Sequence, residues 1–201
     1  MKRLLTIILA FLPVLCAAQE EDNTFGGWIF AQAKHSFSNG MYASAYFHHS
    51  NFQFQRLESN YMRLSVGTAV LPWLSAGVNY VPVFEPGGVT KHYAEADLVG
   101  TIKSGNIKIS LRERYRYGFT TAKNELRTRL KVSYSFPESR FGVYVAPEVF
   151  TRGNDWLKTR HFAALTFDIT RSLQFETYYM YYAFKSAPAE NVLGLGLNLT
   201  L

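Results

Sequence analysis

The sequence predicts an all-β protein, a single antiparallel transmembrane β-barrel of 10–12 strands that follows a cleaved signal peptide. Three observations predict this class. The chain starts with a short basic and apolar segment, its composition is 16% aromatic with 13 Tyr and 16 Phe, and apolar and polar residues alternate along most of its length. Aromatic residues suit strands better than helices, and alternation with a period of two indicates a strand.

The first residues have the layout of a secretory signal peptide. Lys2 and Arg3 precede an apolar run over residues 4–15, and small residues follow that run. About a dozen apolar residues are too few to span about 30 Å of hydrocarbon, so the segment is not expected to be a membrane anchor. We therefore expect residues 1–18 to be removed by cleavage before Gln19.

Export changes how the charge of the chain is interpreted. The mature chain, residues 19–201, keeps 19 of the 21 basic residues and all 15 acidic residues, so its net charge falls from +6 to about +4. Cys16 is the only cysteine and is removed with the signal, which excludes disulfides and Cys-ligated metals from the mature chain. With so small an excess of positive charge, the exported chain is not expected to bind nucleic acid. Its length of about 180 residues is enough for one domain.

The alternation is clearest over residues 125–136, ELRTRLKVSYSF. One face of this segment carries Arg127, Arg129 and Lys131, whereas the other carries leucine, valine and aromatic residues. Successive side chains of a strand point to opposite faces, and no helical period separates these two sets. The same pattern predicts eleven strands, at residues 26–37, 41–54, 61–70, 74–84, 92–103, 106–119, 125–136, 141–150, 157–169, 172–184 and 191–201.

The predicted connections between these strands also alternate. Short turns are expected near residues 71–72, 104–106, 137–139 and 170–172. Longer polar loops are expected near residues 85–91, 118–124, 152–156 and 185–190. Short turns at one end and longer loops at the other are typical of outer-membrane barrels.

A soluble exported β-sandwich is the main alternative, because its strands alternate as well. Two features favour the membrane. Apolar faces end in aromatic residues, as at Phe84 and Tyr134, which is where the interfacial girdles of a barrel lie. The chain also ends on an alternating strand at Leu201, which we expect the outer-membrane assembly machinery to bind, although Phe or Trp is the usual last residue.

A count of eleven strands conflicts with the even number that is usual in bacterial barrels, whose two termini both lie in the periplasm. Two repairs are open. The segment over residues 41–55 could break near His48 and His49 into two short strands, which would give twelve. Alternatively, the segment over residues 26–37 could lie inside or outside a ten-stranded barrel.

Several segments together resemble a known family. They are an early strand with Trp28 (GGWIFAQAKHSF), the hairpin GTAVLPWLSAGVNY, the basic strand LRTRLK, the segment FGVYVAPEVF with Glu148, and the ending NVLGLGLNL. In these segments the chain resembles the exported Bacteroidota proteins of domain of unknown function 2490, which are grouped with outer-membrane β-barrels. The resemblance implies a barrel in the outer membrane and assigns no activity to it.

If the apolar faces contact lipid, the polar faces line the lumen, with basic residues on two neighbouring strands and acidic residues on the strands beside them. The residues predicted to form this charged ladder and to bind there are Arg112, Arg114, Arg116, Arg127, Arg129, Lys131, Glu95, Asp97 and Glu148. Like charges that face each other across a hairpin are destabilising, so the basic residues need carboxylate partners. Two interpretations are open: Arg–carboxylate pairs that pack the lumen, or an electropositive path for anions.

Glu113 does not fit this picture. It falls on the predicted lipid face with Ile109 and Leu111, near the middle of the membrane. A charge at that depth is unfavourable. We therefore expect a β-bulge to shift the register of this strand.

The sequence predicts no catalytic residue, no cofactor and no metal ligand. His48 and His49 are adjacent and would point to opposite faces of a strand, so they cannot bind one metal together. No histidine lies in the spacing of a nucleophile elbow or of a zinc protease motif. His92, near Glu95 at a loop end, is the one candidate for a catalytic triad at the rim, with a serine from another strand.

Together these observations predict a monomeric barrel in the bacterial outer membrane, either structural or a narrow anion-preferring pore with an arginine-rich lumen. Its expected partners are outer-membrane lipid, lipopolysaccharide and the assembly machinery that reads the C-terminal strand. Two alternatives are an outer-membrane enzyme that acts on lipid or lipopolysaccharide, and a soluble exported β-protein that binds lipid or glycan.

Overall fold

The alternating segments form eleven β-strands in the computed structural model, which describes residues 24–52, 56–88 and 90–201. The strands of this described part are β1 (Thr24–Ser36), β2 (Met41–Phe52), β3 (Arg56–Leu71), β4 (Leu74–Phe84), β5 (Thr90–Ser104), β6 (Ile107–Gly118), β7 (Asn124–Ser135), β8 (Phe141–Arg152), β9 (Asp155–Asp168), β10 (Leu173–Phe184) and β11 (Glu190–Thr200). Each overlaps one of the eleven predicted segments. The predicted signal peptide lies outside the described residues. Within the described ranges, no helix is long and apolar enough to cross a membrane.

The strands close into one barrel in which each pairs with its neighbours in the chain. Every pair is antiparallel except the closing one, because β1 runs parallel to β11. Thr24 lies beside Glu190 and Lys34 lies beside Thr200, in an unbroken register. The backbone N–H of Leu201 donates to the carbonyl oxygen of Lys34 at 2.8 Å, which finishes this parallel seam.

The parallel seam closes the barrel with an odd number of strands, an arrangement that neither predicted alternative includes. Both predicted repairs are wrong, because β2 is one strand that pairs with β1 and β3, and β1 itself belongs to the wall. The expectation that the chain enters and leaves the barrel at the same end is also wrong, since Thr24 and Leu201 lie at opposite ends. The physical reason is that a parallel pair still satisfies both strand edges, at slightly lower stability per residue than an antiparallel pair.

The two ends of the barrel differ in their connections. The short-turn end carries the connections β1–β2, β3–β4, β5–β6, β7–β8 and β9–β10. The connections β6–β7, β8–β9 and β10–β11 lie at the opposite end, the loop end. The longer loop predicted over residues 152–156 is wrong, because β8 and β9 extend until only Gly153 and Asn154 join them. Gly153 has a φ of 57°, the left-handed conformation that a two-residue hairpin connection favours.

The barrel is apolar outside and polar inside. Along β8, Phe141, Val145 and Val149 are exposed, while Glu148 and Phe150 on the alternate face are buried. The buried polar residues are His48, Ser50, Asn79, Glu95, Asp97, Arg114, Arg127, Glu148, Glu176 and Asn191. This arrangement is the inverse of a soluble β-sandwich, so the β-sandwich alternative is wrong, and an exposed apolar band of this kind is typical of a transmembrane β-barrel.

Glu113 lies on the outer face without a bulge. β6 pairs with β5 and β7 in unbroken registers that place Glu113 between Leu98 and Thr128. The bulge predicted for this strand is therefore wrong. Instead, Oγ1 of Thr128 donates a hydrogen bond to Oε2 of Glu113 at 2.8 Å, which gives the carboxyl group a polar partner on an otherwise apolar face.

Candidate functional site in the barrel lumen

The register of β5 to β8 brings the predicted charged residues together. Arg114 lies opposite Asp97 on β5 and opposite Arg127 on β7. In the same way, Arg116 lies opposite both Glu95 and a carboxylate of β7. All nine residues of the charged ladder lie on the inner face, where they line the central cavity or form ion pairs between nearby strands. Their role in binding stays a prediction.

Glu95 is the centre of the charged ladder. Its side chain has no exposed surface, and it contacts three arginines that come from two strands. Nε of Arg63 lies 2.9 Å from Oε2, Nη2 of Arg116 lies 2.5 Å from Oε1, and Nη1 of Arg114 lies 3.2 Å from Oε2. Because one carboxylate is shared by three guanidinium groups, this cluster keeps an excess of positive charge.

Two further carboxylates complete the ion pairs on this side of the lumen. Arg114 binds Asp97 through both carboxylate oxygens, with Nε and Nη2 each at 2.6 Å. Such bidentate pairs are stronger and more directional than single contacts. Glu125, nearer the loop end, accepts a hydrogen bond from Nε of Arg127 at 2.7 Å and lies 3.7 Å from Nη1 of Arg116. Carboxylates of the same or a neighbouring strand therefore hold Arg114, Arg116 and Arg127 in fixed positions.

Glu148 holds a separate cluster on β8. Nη2 of Arg112 lies 2.6 Å from its Oε1, and Nη1 of Arg160 lies 3.8 Å from its Oε2. Arg129 lies between Arg112 and Glu148 in the sheet register and makes no ion pair with another described residue. The Nε atoms of Arg112 and Arg160 are buried and have no hydrogen-bond partner in the described part of the chain. Buried donors without acceptors are costly, so this cluster lacks anionic partners.

The other side of the lumen is lined by aromatic rings, which period-two alternation alone does not reveal. This aromatic wall consists of Trp28, Phe30, Tyr46, His48, Tyr61, Tyr144, Phe150, Tyr178 and Tyr182. The ring of His48 stacks on Tyr61 with 4.6 Å between centroids, and it meets Trp28 edge-on at 4.7 Å. Arg160 joins the two sides, because its guanidinium carbon lies 4.4 Å from the centroid of the Tyr182 ring, a cation–π distance.

Two glycines of β11 are the sequence signal for the aromatic wall. A Cβ atom at Gly194 would lie 1.9 Å from Cζ of Tyr178, and one at Gly196 would lie 2.1 Å from Cζ of Phe30. Only a residue without a side chain leaves room for these rings. The alternation of leucine and glycine near the C-terminus therefore marks large inward-facing rings on the neighbouring strands.

A cavity of about 300 Å³ lies between the charged ladder and the aromatic wall. The described residues that line it include seven cationic side chains and two carboxylates. The cationic residues are Arg63, Arg112, Arg114, Arg127, Arg129, Lys131 and Arg160. The carboxylates are those of Glu148 and Glu176, and Glu176 accepts a hydrogen bond from the hydroxyl of Tyr144. The cavity is therefore narrow and electropositive, which favours small anions.

The histidine candidates form no catalytic or metal site among the described residues. Nδ1 of His92 lies 2.6 Å from the hydroxyl of Tyr80 on the outer side of the barrel, whereas Glu95 is buried on the inner side, so the predicted triad is wrong. His48 faces the lumen and His49 the outer side, as the strand period predicts. In the part of the chain that the structure describes, no group of three or more His, Cys, Asp or Glu residues could hold a metal ion.

Two solved structures with the same fold are porins. The chain is similar to "NanC porin structure in rhombohedral crystal form", with a TM-score of 0.61 and 15% sequence identity, over 88% of this chain and 98% of that chain. It is also similar to "KdgM porin", with a TM-score of 0.54 and 11% identity, over 75% and 81% of the two chains. At these identities the likeness establishes the transmembrane β-barrel fold. No curated protein sequence matches the chain.

The sequence itself also matches a known family. A family profile described as "Protein of unknown function (DUF2490)" matches residues 25–192. The match runs from β1 to the start of β11, so it includes the strands of both the charged ladder and the aromatic wall. The predicted resemblance is confirmed, and this chain belongs to the DUF2490 family.

Proposed function

We propose that this protein is a narrow, anion-preferring pore of the bacterial outer membrane. The observation that carries the proposal is the charge of the central cavity, where seven cationic side chains meet two carboxylates among the described residues that line it. Rings of arginine and lysine favour anions over cations in a pore. The fold supports the same function, because two solved barrels that resemble this chain are porins.

The ion pairs of the lumen do not cancel its positive charge. Four carboxylates, those of Glu95, Asp97, Glu125 and Glu148, hold six arginines. Two positive charges therefore remain within the paired set itself, and Arg129 adds another beside it. A fixed positive potential in a narrow lumen with low-dielectric walls concentrates anions at the constriction.

Single-channel recording in a KCl gradient tests this proposal. The barrel refolded into a planar bilayer should give a reversal potential of the sign expected for chloride. Arg129→Gln should reduce the anion preference, because Arg129 lines the cavity and its removal breaks no ion pair of the described chain. Lys123→Gln, a change at an exposed loop lysine, is the matched control and should leave the reversal potential unchanged. A cation preference of the unmodified barrel would refute the proposal.

A closed structural barrel is the second candidate, and the packing of the aromatic wall favours it. His48 is only 2% exposed and packs between Trp28 and Tyr61 inside the lumen. The central cavity is also small, at about 300 Å³. Barrels of this size lie between fully packed and water-filled ones. The structural role would be supported by a barrel that folds, as shown by heat-modifiable gel mobility, yet gives no single-channel conductance.

The location, partners and absence of catalysis are part of the same proposal. We expect a monomer whose outer face contacts membrane lipid and lipopolysaccharide. We also expect the outer-membrane assembly machinery to recognise β11. The exposed outer residues Leu193, Leu195 and Leu197 of β11 support contact with lipid. Recovery in the sarkosyl-insoluble membrane fraction tests the location, and a chain that stays soluble without detergent would refute it. His92→Ala should leave the lipid A profile unchanged, whereas an altered profile would support the enzyme alternative.

A further inference from the structure

Lysines replace arginines at the short-turn end of the lumen. Lys103 and Lys108 are directly opposite each other across the β5–β6 hairpin. On the next strand, Lys131 lies beside Ser110, and its Nζ is 3.5 Å from the centroid of the Tyr144 ring. Like charges in directly opposed positions of a hairpin destabilise it, so the lysine pair is an arrangement that folding alone does not favour.

These three lysines line one chamber, which we call the lysine vestibule. It has a volume of about 570 Å³, lies at the short-turn end and is lined by residues of β5 to β10. The hydroxyl groups of Thr101, Ser110, Ser133 and Thr166 also line it. None of the described residues that line the vestibule is an aspartate or a glutamate.

The nearest carboxylates of the lumen are already engaged by other groups. Asp97 is bound at both oxygens by Arg114, and Glu148 is held by Arg112. Glu176 accepts the hydroxyl hydrogen bond of Tyr144. Asp168, opposite Gln174 of the vestibule lining, accepts a hydrogen bond from the side-chain amide of Gln174. The described lining therefore offers three ammonium groups and several hydroxyl groups, and these carboxylates lie outside it.

We propose that the lysine vestibule is a binding site for a phosphate group, carried by a free phosphate ion or by a small phosphorylated solute. The inference deepens the proposed function, since it places the site at the short-turn mouth of the proposed pore. The ligand would enter with its phosphate among Lys103, Lys108 and Lys131, while the arginines further along the lumen stay paired with carboxylates.

The donor set favours phosphate over other anions. A phosphate group carries up to two negative charges and has three or more acceptor oxygens that point in different directions. A carboxylate has one charge and two oxygens in a plane, which suits the fork of an arginine better than three separate ammonium groups. Lysine is a compact point charge and a common phosphate ligand, and hydroxyl groups can donate to the remaining oxygens.

Isothermal titration of the refolded barrel in a zwitterionic detergent tests the site with three probes: inorganic phosphate, glucose 6-phosphate and glucuronate. Both phosphate probes should bind, and glucuronate, which carries a carboxylate on a similar ring, should bind at least about tenfold more weakly. Binding of inorganic phosphate without glucose 6-phosphate would identify the free ion as the ligand. Equal affinity for glucuronate would overturn the assignment to phosphate, and so would an absence of phosphate binding.

Variants locate the binding site. The double change Lys103→Gln and Lys108→Gln should weaken phosphate binding about tenfold, since two ammonium contacts are lost. Lys158→Gln is the matched control, because Lys158 lies at the loop end, with its Nζ 4.8 Å from the centroid of the Phe150 ring. Heat-modifiable gel mobility shows whether each variant folds. Unchanged phosphate affinity in the folded double variant would refute the proposal.

Titration in detergent needs no conduction, so the two proposals can fail separately. A barrel that binds phosphate but carries no current would refute the pore and leave the vestibule intact. A barrel that conducts anions but binds no phosphate would refute the vestibule alone. If both hold, phosphate added at the short-turn side should reduce the chloride current at lower concentration than phosphate added at the loop side.

Discussion

The loop-end half and the short-turn half of the lumen hold positive charge in different ways. In the loop-end half, four carboxylates bind six arginines in close ion pairs. In the short-turn half, Lys103, Lys108 and Lys131 share a chamber whose described lining contains no carboxylate. Strand alternation brings charge to the inner face in both halves. The residue opposite on the next strand decides whether a cationic side chain is held by a carboxylate or is available to a ligand.

The residue types agree with this difference. The planar fork of arginine binds a carboxylate at two points, as Arg114 binds Asp97, and it suits enclosed pairs. The flexible ammonium group of lysine can move to meet a mobile ligand, and Lys103 and Lys108 are exposed to the vestibule. The comparison therefore predicts that changes in the paired half alter stability, whereas changes in the lysine half alter binding.

The largest effect is expected for Glu95→Gln. The substitution keeps the shape of the side chain but removes the charge that Arg63, Arg114 and Arg116 share. Breaking a buried ion pair from one side leaves uncompensated charge, so the free energy of unfolding should fall by about 3–5 kcal/mol. Urea unfolding of the barrel in lipid vesicles measures this, with Glu138→Gln in an exposed turn as control. A loss no larger than that of the control would contradict the paired-half interpretation.

Arg114→Lys tests the geometry of the pair rather than its charge. A lysine keeps the positive charge near Asp97 but cannot make the two parallel contacts at 2.6 Å. We expect a loss of about 1.5–3 kcal/mol in the free energy of unfolding, the range for a hydrogen bond to a charged group. Arg152→Lys is the control, because Arg152 is exposed and its Nε donates a hydrogen bond to a backbone carbonyl, that of Asn124. Similar small losses in both variants would show that charge alone matters.

Lys108→Glu should raise the free energy of unfolding rather than lower it. It places a carboxylate directly opposite Lys103, and it turns a repulsive cross-strand pair into an attractive one. The gain in the free energy of unfolding should be about 0.2–1 kcal/mol, the size of cross-strand charge pairs. Urea unfolding measures it, and Lys123→Glu in an exposed loop should change stability by less than about 0.5 kcal/mol. Destabilisation by Lys108→Glu would show that the lysine is needed for folding and not for a ligand.

The inward direction of the charged ladder was predictable because side-chain direction in a strand is a local property. The alternation of Arg112, Arg114 and Arg127 with apolar residues is enough to assign their face. The pairing of Arg114 with Asp97 was also accessible, since a short turn between β5 and β6 fixes the register of that hairpin.

The parallel seam was not predictable, because it joins residues such as Thr24 and Glu190 that are distant in the chain and leave no local pattern. The aromatic wall was hidden for another reason. Both faces of β10 carry apolar or aromatic residues, so only Gln174 and Glu176 distinguish the inner face. The β-bulge was predicted at Glu113 because a single strand shows only a charge on its lipid face. The hydrogen-bond donor that accommodates this charge, Thr128, belongs to the next strand.

The smallest expected effect is a difference between the two halves of the lumen in how their contribution to stability depends on salt. The Debye length falls from about 10 Å at 0.1 M salt to about 3 Å at 1 M, and exposed charges are screened far more than buried ones. Repulsion between Lys103 and Lys108 should therefore weaken in high salt, while the buried contacts of Glu95 change little. Relative to a variant with glutamine at both lysines, the unmodified barrel should gain a few tenths of a kcal/mol between 0.1 and 1 M NaCl. Urea midpoints of the two proteins, compared at each salt concentration, cancel general salt effects. Parallel shifts would mean that the opposed lysines do not repel each other in the folded barrel, and that the vestibule has no excess charge for a ligand to neutralise.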